Sequence, residues 1–322
     1  MRAFVTILIG MIDGSPTGTQ HGRSNWLRAG WQLLKLTFAE WMNDNAFQFS
    51  AALAFYTMFS IAPLLLIVVG VASFFLAPET ATNRIVGEME KMVGPQGAHA
   101  VQQVIESSRG FGKGLWAVSV GIVTLIMGAT AVFGELQTAL NYMWDVKAKP
   151  DRSVIMSLVV DRLRSFSIAL CVGFLLLVSL VISAVISGLQ DYMNQWLPGI
   201  PWLWQAANVI ASFFVVAVLF ATIYKFLPDV VISWKDVWIG AAVTALLFTG
   251  GKYLIGVYLG QTATASAFGA AGSLVVLLFW VYYSALIGFL GAEFVQVYAR
   301  RYGSGIQPKK HAVRVGRKTD WI

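Results

Sequence analysis

The chain has 322 residues, of which 57% are hydrophobic and 12% charged, and its mean hydropathy is +0.68. A soluble domain carries about 25% charged residues, so these values exclude a water-facing globular protein and indicate a membrane protein. The formal net charge of +7 comes from 23 Lys and Arg residues against 16 Asp and Glu residues.

Six apolar segments follow one another along the chain, and each is long enough to cross the ~30 Å hydrocarbon core as a helix. They comprise residues 51–77, 115–134, 166–189, 204–227, 237–258 and 273–297. Breaks rich in proline and charge separate several of them, such as "VKAKPDRS" and "FLPDVVISWKD". The sequence therefore predicts an all-α polytopic membrane protein, with one six-helix membrane domain in residues 24–302.

The segments outside the six spans carry three further predictions. Residues 1–23 are predicted to be a disordered N-terminal tail, and residues 303–322 a basic disordered cytoplasmic tail. Between them, residues 24–49 mix Trp31 and Phe38 with Arg28 and Lys35, which is typical of an amphipathic interfacial helix. The loop of residues 80–108 is predicted to be a helical periplasmic loop whose helix ends at "GPQG".

The distribution of Lys and Arg predicts the orientation. Eighteen of the 23 lie in alternate connections or at the ends, four lie in the long loop on the other side, and Lys252 lies inside a span. Cytoplasmic loops carry the excess of positive charge. The sequence therefore predicts a multi-pass membrane protein with both termini in the cytoplasm. The basic tail is interpreted as lipid-headgroup contact, not nucleic-acid binding.

The residues of common catalytic and cofactor motifs are missing from the sequence. There is one cysteine, Cys171, and the three histidines are widely separated. A P-loop, a G-x-S-x-G elbow and a dinucleotide-binding fingerprint are absent. We therefore expect no enzymatic activity, ribonuclease activity included, no cofactor and no metal site.

Lys252 is the most informative residue, because a lysine inside an apolar span is costly. Thr249 and Gly256 lie three and four residues away, so a stripe of small residues surrounds the lysine on one helical face. One interpretation places Lys252 at a polar cavity where it serves as an anion or proton-linked site. The other lets the side chain snorkel to the outer interface.

The first span offers a second group of pathway candidates. Ser50 and Thr57 share a helical face, and Pro63 removes the hydrogen bond to the Phe59 carbonyl. Freed carbonyls there could bind a substrate or an ion. The alternative is a packing kink that a serine hydroxyl satisfies.

Five charged residues near the inner ends of the spans are candidates for an ion-paired cytoplasmic gate. They are Glu135, Asp161, Arg162, Asp229 and Glu293. The alternative is that each is an ordinary interfacial charge.

Four stretches carry a family resemblance, and they are "SAALAFYTMFSIAPLLLI", "ELQTALNYMWDV", "YKFLPDVVISWKDVWIGAAVTALLFTGGKYLIGVYLG" and "AFGAAGSLVVLLFWVYYSALIGFLGAEF". Together they resemble the YihY/BrkB family of bacterial inner-membrane proteins. The resemblance implies six transmembrane helices in the bacterial cytoplasmic membrane and raises the importance of Pro63, Glu135, Lys252 and Glu293. Members of the family were formerly labelled ribonuclease BN, are also called virulence factors, and are often assigned a transport role.

Two classes of function therefore stay open. The first is a permease-like transporter or exporter of an anionic solute or a lipid. The second is a non-transporting membrane organiser in envelope assembly or virulence. The expected partners are membrane lipids and a small solute or lipid, without nucleic acid, and a homo-oligomer is compatible with either class.

Overall fold

The computed structural model describes residues 23–72, 77–108, 115–149, 201–261 and 272–315, and these are mostly helical. The helices are α1 (Arg23–Asn43), α2 (Ala46–Ala72), α3 (Pro78–Ser108), α4 (Leu115–Met143), α5 (Pro201–Phe226), α6 (Trp234–Gln261) and α7 (Gly272–Arg301). The short strands are β1 (Val146–Ala148), β2 (Val230–Val231), β3 (Gln307–Pro308) and β4 (Ala312–Arg314).

Five of the six predicted spans fall largely within α2, α4, α5, α6 and α7, and α1 occupies the predicted interfacial helix. The predicted span at residues 166–189 lies outside the described residues. Judged by length and composition, two segments of the described helices could cross a membrane, Val209–Phe226 in α5 and Val275–Arg301 in α7. The helical character is therefore confirmed, and the six-span topology stays a prediction.

The helix predicted to end at "GPQG" does not end there. α3 continues through Gly94 and Pro95 to Ser108. Ala98, Val101 and Ile105 are buried, with exposed fractions of 3%, 2% and 0%. α3 packs against α2, α6 and α7, and this burial offsets the cost of a proline and a glycine inside a helix.

The segment after residue 302 is not disordered as predicted, and the fold is not purely helical. β3 pairs antiparallel with β2, and β4 pairs antiparallel with β1. Ile306 and Ala312 are buried, with exposed fractions of 8% and 4%. Their burial and the strand hydrogen bonds order the segment through residue 315, and residues 316–322 lie beyond the described part of the chain.

Helix α7 is the central packing element. Its backbone carbonyls accept side-chain hydrogen bonds from three other parts of the chain, because a carbonyl has a second lone pair beyond its helical bond. The Trp41 indole donates to the Leu286 carbonyl at 3.2 Å. The Tyr224 hydroxyl donates to Gly288 at 2.6 Å, and the Trp144 indole donates to Ala292 at 3.1 Å.

Glycines allow α6 to approach α7 closely. A Cβ on Gly240 would lie 1.9 Å from a Val295 methyl group. One on Gly291 would lie 1.8 Å from the Thr244 hydroxyl and 2.6 Å from the Tyr224 hydroxyl. Small residues at such contacts are the usual means of close helix packing in membranes.

We expect Gly291→Ala to destabilise the protein, because the added methyl group overlaps Thr244 and Tyr224 and overpacking typically costs ~1–3 kcal/mol. The matched control is Gly134→Ala in α4, where a Cβ would meet nothing within 4 Å. The control should be neutral or slightly stabilising. Thermal unfolding of the two purified variants in detergent tests this expectation, and equal melting temperatures would contradict it.

Candidate functional site

The Lys252 region lies on α6 where that helix runs beside α7. A Cβ on Gly251 would lie 2.2 Å from the Tyr283 hydroxyl, whereas one on Gly250 would meet nothing within 4 Å. Thr249 is half-buried. Lys252 and Gly256 are within α6, but their side-chain surroundings lie outside the description, so the choice between a cavity and snorkelling stays a prediction.

The pathway candidates of the first span lie on α2, which is one helix through Pro63. Ser50 is fully buried, and its hydroxyl has no hydrogen-bond partner among the described residues. The Thr57 hydroxyl donates to the Leu53 carbonyl at 2.8 Å within the helix. The neighbouring Ser60 hydroxyl donates to the Thr57 carbonyl at 3.1 Å. Ser50 is therefore the pathway candidate of this span whose hydroxyl has no partner among the described residues.

Three of the five predicted gate residues lie in the described part of the chain. Glu135 is half-buried in α4, Asp229 is 5% exposed in the turn after α5, and Glu293 is fully buried in α7. Asp161 and Arg162 lie outside the described residues. Whether these charges form a gate therefore stays a prediction, although two of the three described ones are buried carboxylates.

Asp229 is the centre of a buried polar cluster. Its Oδ2 accepts hydrogen bonds from Asn141 at 2.9 Å and from Gln137 at 3.3 Å. In return, its backbone N–H donates to the Asn141 side-chain oxygen at 2.7 Å. Its Oδ1 lies 3.0 Å from His311 Nε2. The cluster thus joins α4, the end of α5 and the C-terminal segment.

The same segment, which we call the C-terminal clasp and define as residues 303–315, is tied at four further points. The Lys309 N–H donates to the Asp229 carbonyl at 2.9 Å, and its ammonium donates to Pro228 at 2.8 Å. The Lys149 N–H donates to the His311 backbone carbonyl at 3.0 Å, and the Val315 N–H donates to the Asp145 backbone carbonyl at 2.8 Å. The clasp therefore covers the ends of α4 and α5.

Two more carboxylates fix the start of the clasp. Asp145, with a left-handed φ of 54°, pairs with Arg300 at the end of α7. Asp236, in the first turn of α6, accepts from both the N–H and the hydroxyl of Ser304 at 3.2 Å. A Cβ on Gly303 would lie 2.4 Å from that carboxylate, so glycine is required for this approach.

A buried amide lies one helical turn after Glu293. Gln296 is fully buried, and its Nε2 donates to the Met143 carbonyl at the end of α4. Its Oε1 has no hydrogen-bond partner among the described residues. Residues three apart share a helical face, so α7 presents a carboxyl and an amide oxygen on one buried surface.

Sequence reasoning missed several members of these clusters, namely Gln137, Asp236, Gln296, Ser304 and His311. The spacing of Gln137 and Asn141, four residues apart at the end of a span, is a signal that could have marked a polar contact. His311 carried no such signal, because it was assigned to a disordered tail. In the described part of the chain, no group of three His, Cys, Asp or Glu residues is placed to hold a metal ion.

Comparisons with known proteins find relatives that are named membrane proteins. Residues 37–315 match the family described as virulence factor BrkB. A UPF0761 membrane protein of Alkalilimnicola ehrlichii is 26% identical over 315 residues, which is 92% of this chain and 66% of the relative. A UPF0761 membrane protein of Xanthomonas oryzae pv. oryzae is 26% identical over 265 residues, which is 80% of this chain and 59% of the relative. No solved structure matches.

The apolar helices and these relatives define the class, a helical membrane protein. The chain belongs to the virulence factor BrkB family, and the family resemblance found in the sequence is confirmed. The matched part of this chain spans about three-fifths to two-thirds of the length of these two relatives.

We expect His311→Ala to loosen the clasp, because it removes the Asp229 contact across the cluster. A hydrogen bond of this kind contributes ~1 kcal/mol, which corresponds to about fivefold in local opening. Trypsin cleavage at Lys310 and Arg314 of the native protein in detergent should therefore accelerate by about that factor. His99→Ala, at an exposed histidine of α3, is the matched control, and equal cleavage rates in both variants would contradict the expectation.

Proposed function

We propose that this chain is a six-span permease of the bacterial cytoplasmic membrane that moves an anionic solute or an anionic lipid, without enzymatic turnover. The topology proposal is supported by the described helices at five of the six predicted spans and by the distribution of Lys and Arg. The same distribution supports cytoplasmic termini.

The observation that carries the transport proposal is Glu293, a fully buried carboxyl within the segment Val275–Arg301 that could cross a membrane. A charge at membrane depth is costly, and such residues usually mark ion or substrate pathways. Gln296 beside it leaves an amide oxygen unused among the described residues.

Lys252 supplies the opposite charge on the neighbouring helix. α6 and α7 run antiparallel, since Gly240 meets Val295 and Gly251 meets Tyr283. The Lys252 backbone is thus at the depth of Tyr283, ten residues or ~15 Å along α7 from Glu293. We infer that Lys252 attracts the anion in the outer half of the path and that Glu293 acts in the inner half.

A membrane organiser is the second candidate function. It is favoured by the large exposed aromatic side chains of α1, Trp31 and Phe38, with exposed fractions of 61% and 56%. Such a protein would need α1 and the clasp but would not need Lys252 or Glu293 to be ionisable.

The topology proposal predicts that a reporter fused after residue 322 is active only in the cytoplasm. The physical reason is the retention of positively charged flanks on the inner side. Paired fusions of green fluorescent protein and alkaline phosphatase provide the measurement. Alkaline phosphatase activity of the C-terminal fusion would overturn the orientation.

The transport proposal predicts that Lys252→Met and Glu293→Gln insert normally but reduce transport at least tenfold. Two assays on purified protein in liposomes measure transport. Translocation of NBD-phosphatidylglycerol is followed by dithionite bleaching of the lipid in the outer leaflet. Transport of phosphate, succinate or glutamate is followed as the current on a solid-supported membrane after a jump in the anion concentration. Lys252→Arg should restore little, because a planar guanidinium does not replace a compact ammonium.

The matched controls are Lys235→Met and Glu106→Gln, which remove the same charges at exposed positions and should transport like wild type. Wild-type rates in Lys252→Met and Glu293→Gln would contradict the assigned roles. If none of the probes moved while both variants still complemented a deletion strain, the organiser function would be favoured instead.

A further inference from the structure

Helix α1 has one face committed to the helix bundle. Leu33 is 8% exposed and packs with Phe294 and Val297 of α7. Two turns later, Trp41 is also 8% exposed and donates its indole N–H to the Leu286 carbonyl. Burial at these positions fixes the rotation of α1 about its own axis.

That rotation leaves a second apolar stripe without cover among the described residues. Trp31, Leu34 and Phe38 are 61%, 51% and 56% exposed. Their spacing of three and four residues places them along one side of the helix. Contiguous exposed apolar surface of this kind marks a contact with another protein or with a membrane.

Cations lie directly beside the aromatic stripe. Arg28 and Lys35 are exposed and two turns apart on α1, so they share a face. The Lys35 ammonium lies 5.4 Å from the centroid of the Trp31 ring. Arg301 reaches α1 from the end of α7 and donates to Gln32 Oε1 at 3.0 Å. Arg28 and Lys35 are four residues before and three residues after Gln32, so the three cationic residues lie on or beside one face of α1.

The depth of this surface follows from its contacts with α7. Gln32 meets Arg301, the last residue of the segment that could cross a membrane, and Trp41 meets Leu286, well inside it. From Gln32 to Trp41, α1 therefore runs from the end of the apolar segment of α7 towards its middle, that is, towards the bilayer core. The cations lie at the end of the apolar segment, and Phe38 lies farther in.

We propose that this face of α1 binds an anionic phospholipid of the surrounding bilayer. Arg28, Lys35 and Arg301 bind the headgroup phosphate, while Trp31, Leu34 and Phe38 contact its acyl chains. Charge complementarity selects an anionic over a zwitterionic headgroup, and an aromatic residue beside a lysine suits the membrane interface. The proposal rests on the membrane location alone and is independent of transport.

Native mass spectrometry of the full chain, released from detergent with palmitoyl-oleoyl phosphatidylglycerol or the matching phosphatidylcholine, tests the proposal. We expect phosphatidylglycerol to be retained preferentially. Arg28→Gln and Lys35→Gln should each weaken its retention by about fivefold, as expected for one cation at an anionic membrane surface. Retention of phosphatidylcholine should not change.

Arg84→Gln is the matched control, because it removes one exposed positive charge from α3 and should leave retention at the wild-type level. Equal retention of the two lipids, or equal losses in Arg84→Gln and Lys35→Gln, would overturn the proposal. The same spectra report oligomeric state. A dimer that Trp31→Ser and Phe38→Ser dissociate would assign the stripe to a second copy of the chain and would likewise overturn it.

Discussion

The described structure depends on the hydrogen bonds that other elements donate to the backbone of α7. Trp41, Tyr224 and Trp144 come from α1, α5 and the turn after α4, and each reaches a different carbonyl of α7. In hydrocarbon, helices gain little from burying apolar surface against each other, so close packing and polar contacts decide association. These donors fix the rotation and depth of three elements against one helix.

Close packing at α7 also buries several polar side chains between the helices. Gly291 lets Thr244 and Tyr224 approach α7, and each hydroxyl donates to a backbone carbonyl while the two oxygens lie 3.1 Å apart. Glu293 and Gln296 follow within two turns and are fully buried. A carboxyl there has a direct energetic cost, which the surrounding packing must offset. That cost is the physical reason why the transport proposal places Glu293 on the solute path.

The end of the bundle uses a different chemistry from its interior. At the clasp, buried carboxylates accept from amides, backbone N–H groups and cations, and two short antiparallel pairs add main-chain hydrogen bonds. Charged groups are tolerated here because hydrogen-bond donors or a cation satisfy the carboxylates, as at Asp229, Asp236 and Asp145. Arg300, one of the basic residues from which the orientation is predicted, also pairs with Asp145 and so ties the end of α7 to the turn after α4.

The sequence by itself determined the membrane class, the helical character, the family and most helix positions, because apolar length and composition report the solvent directly. It failed for α3, where packing carries the helix through Gly94 and Pro95, and for residues 303–315, whose polar composition indicated disorder.

Only the tertiary structure decided that Asp229 meets His311, 82 residues away, and that Ser50 and Gln296 are buried with unused oxygens among the described residues. Such contacts depend on how helices rotate and cross. Residue order does not encode these parameters locally, because they are set by the mutual fit of side chains from distant segments.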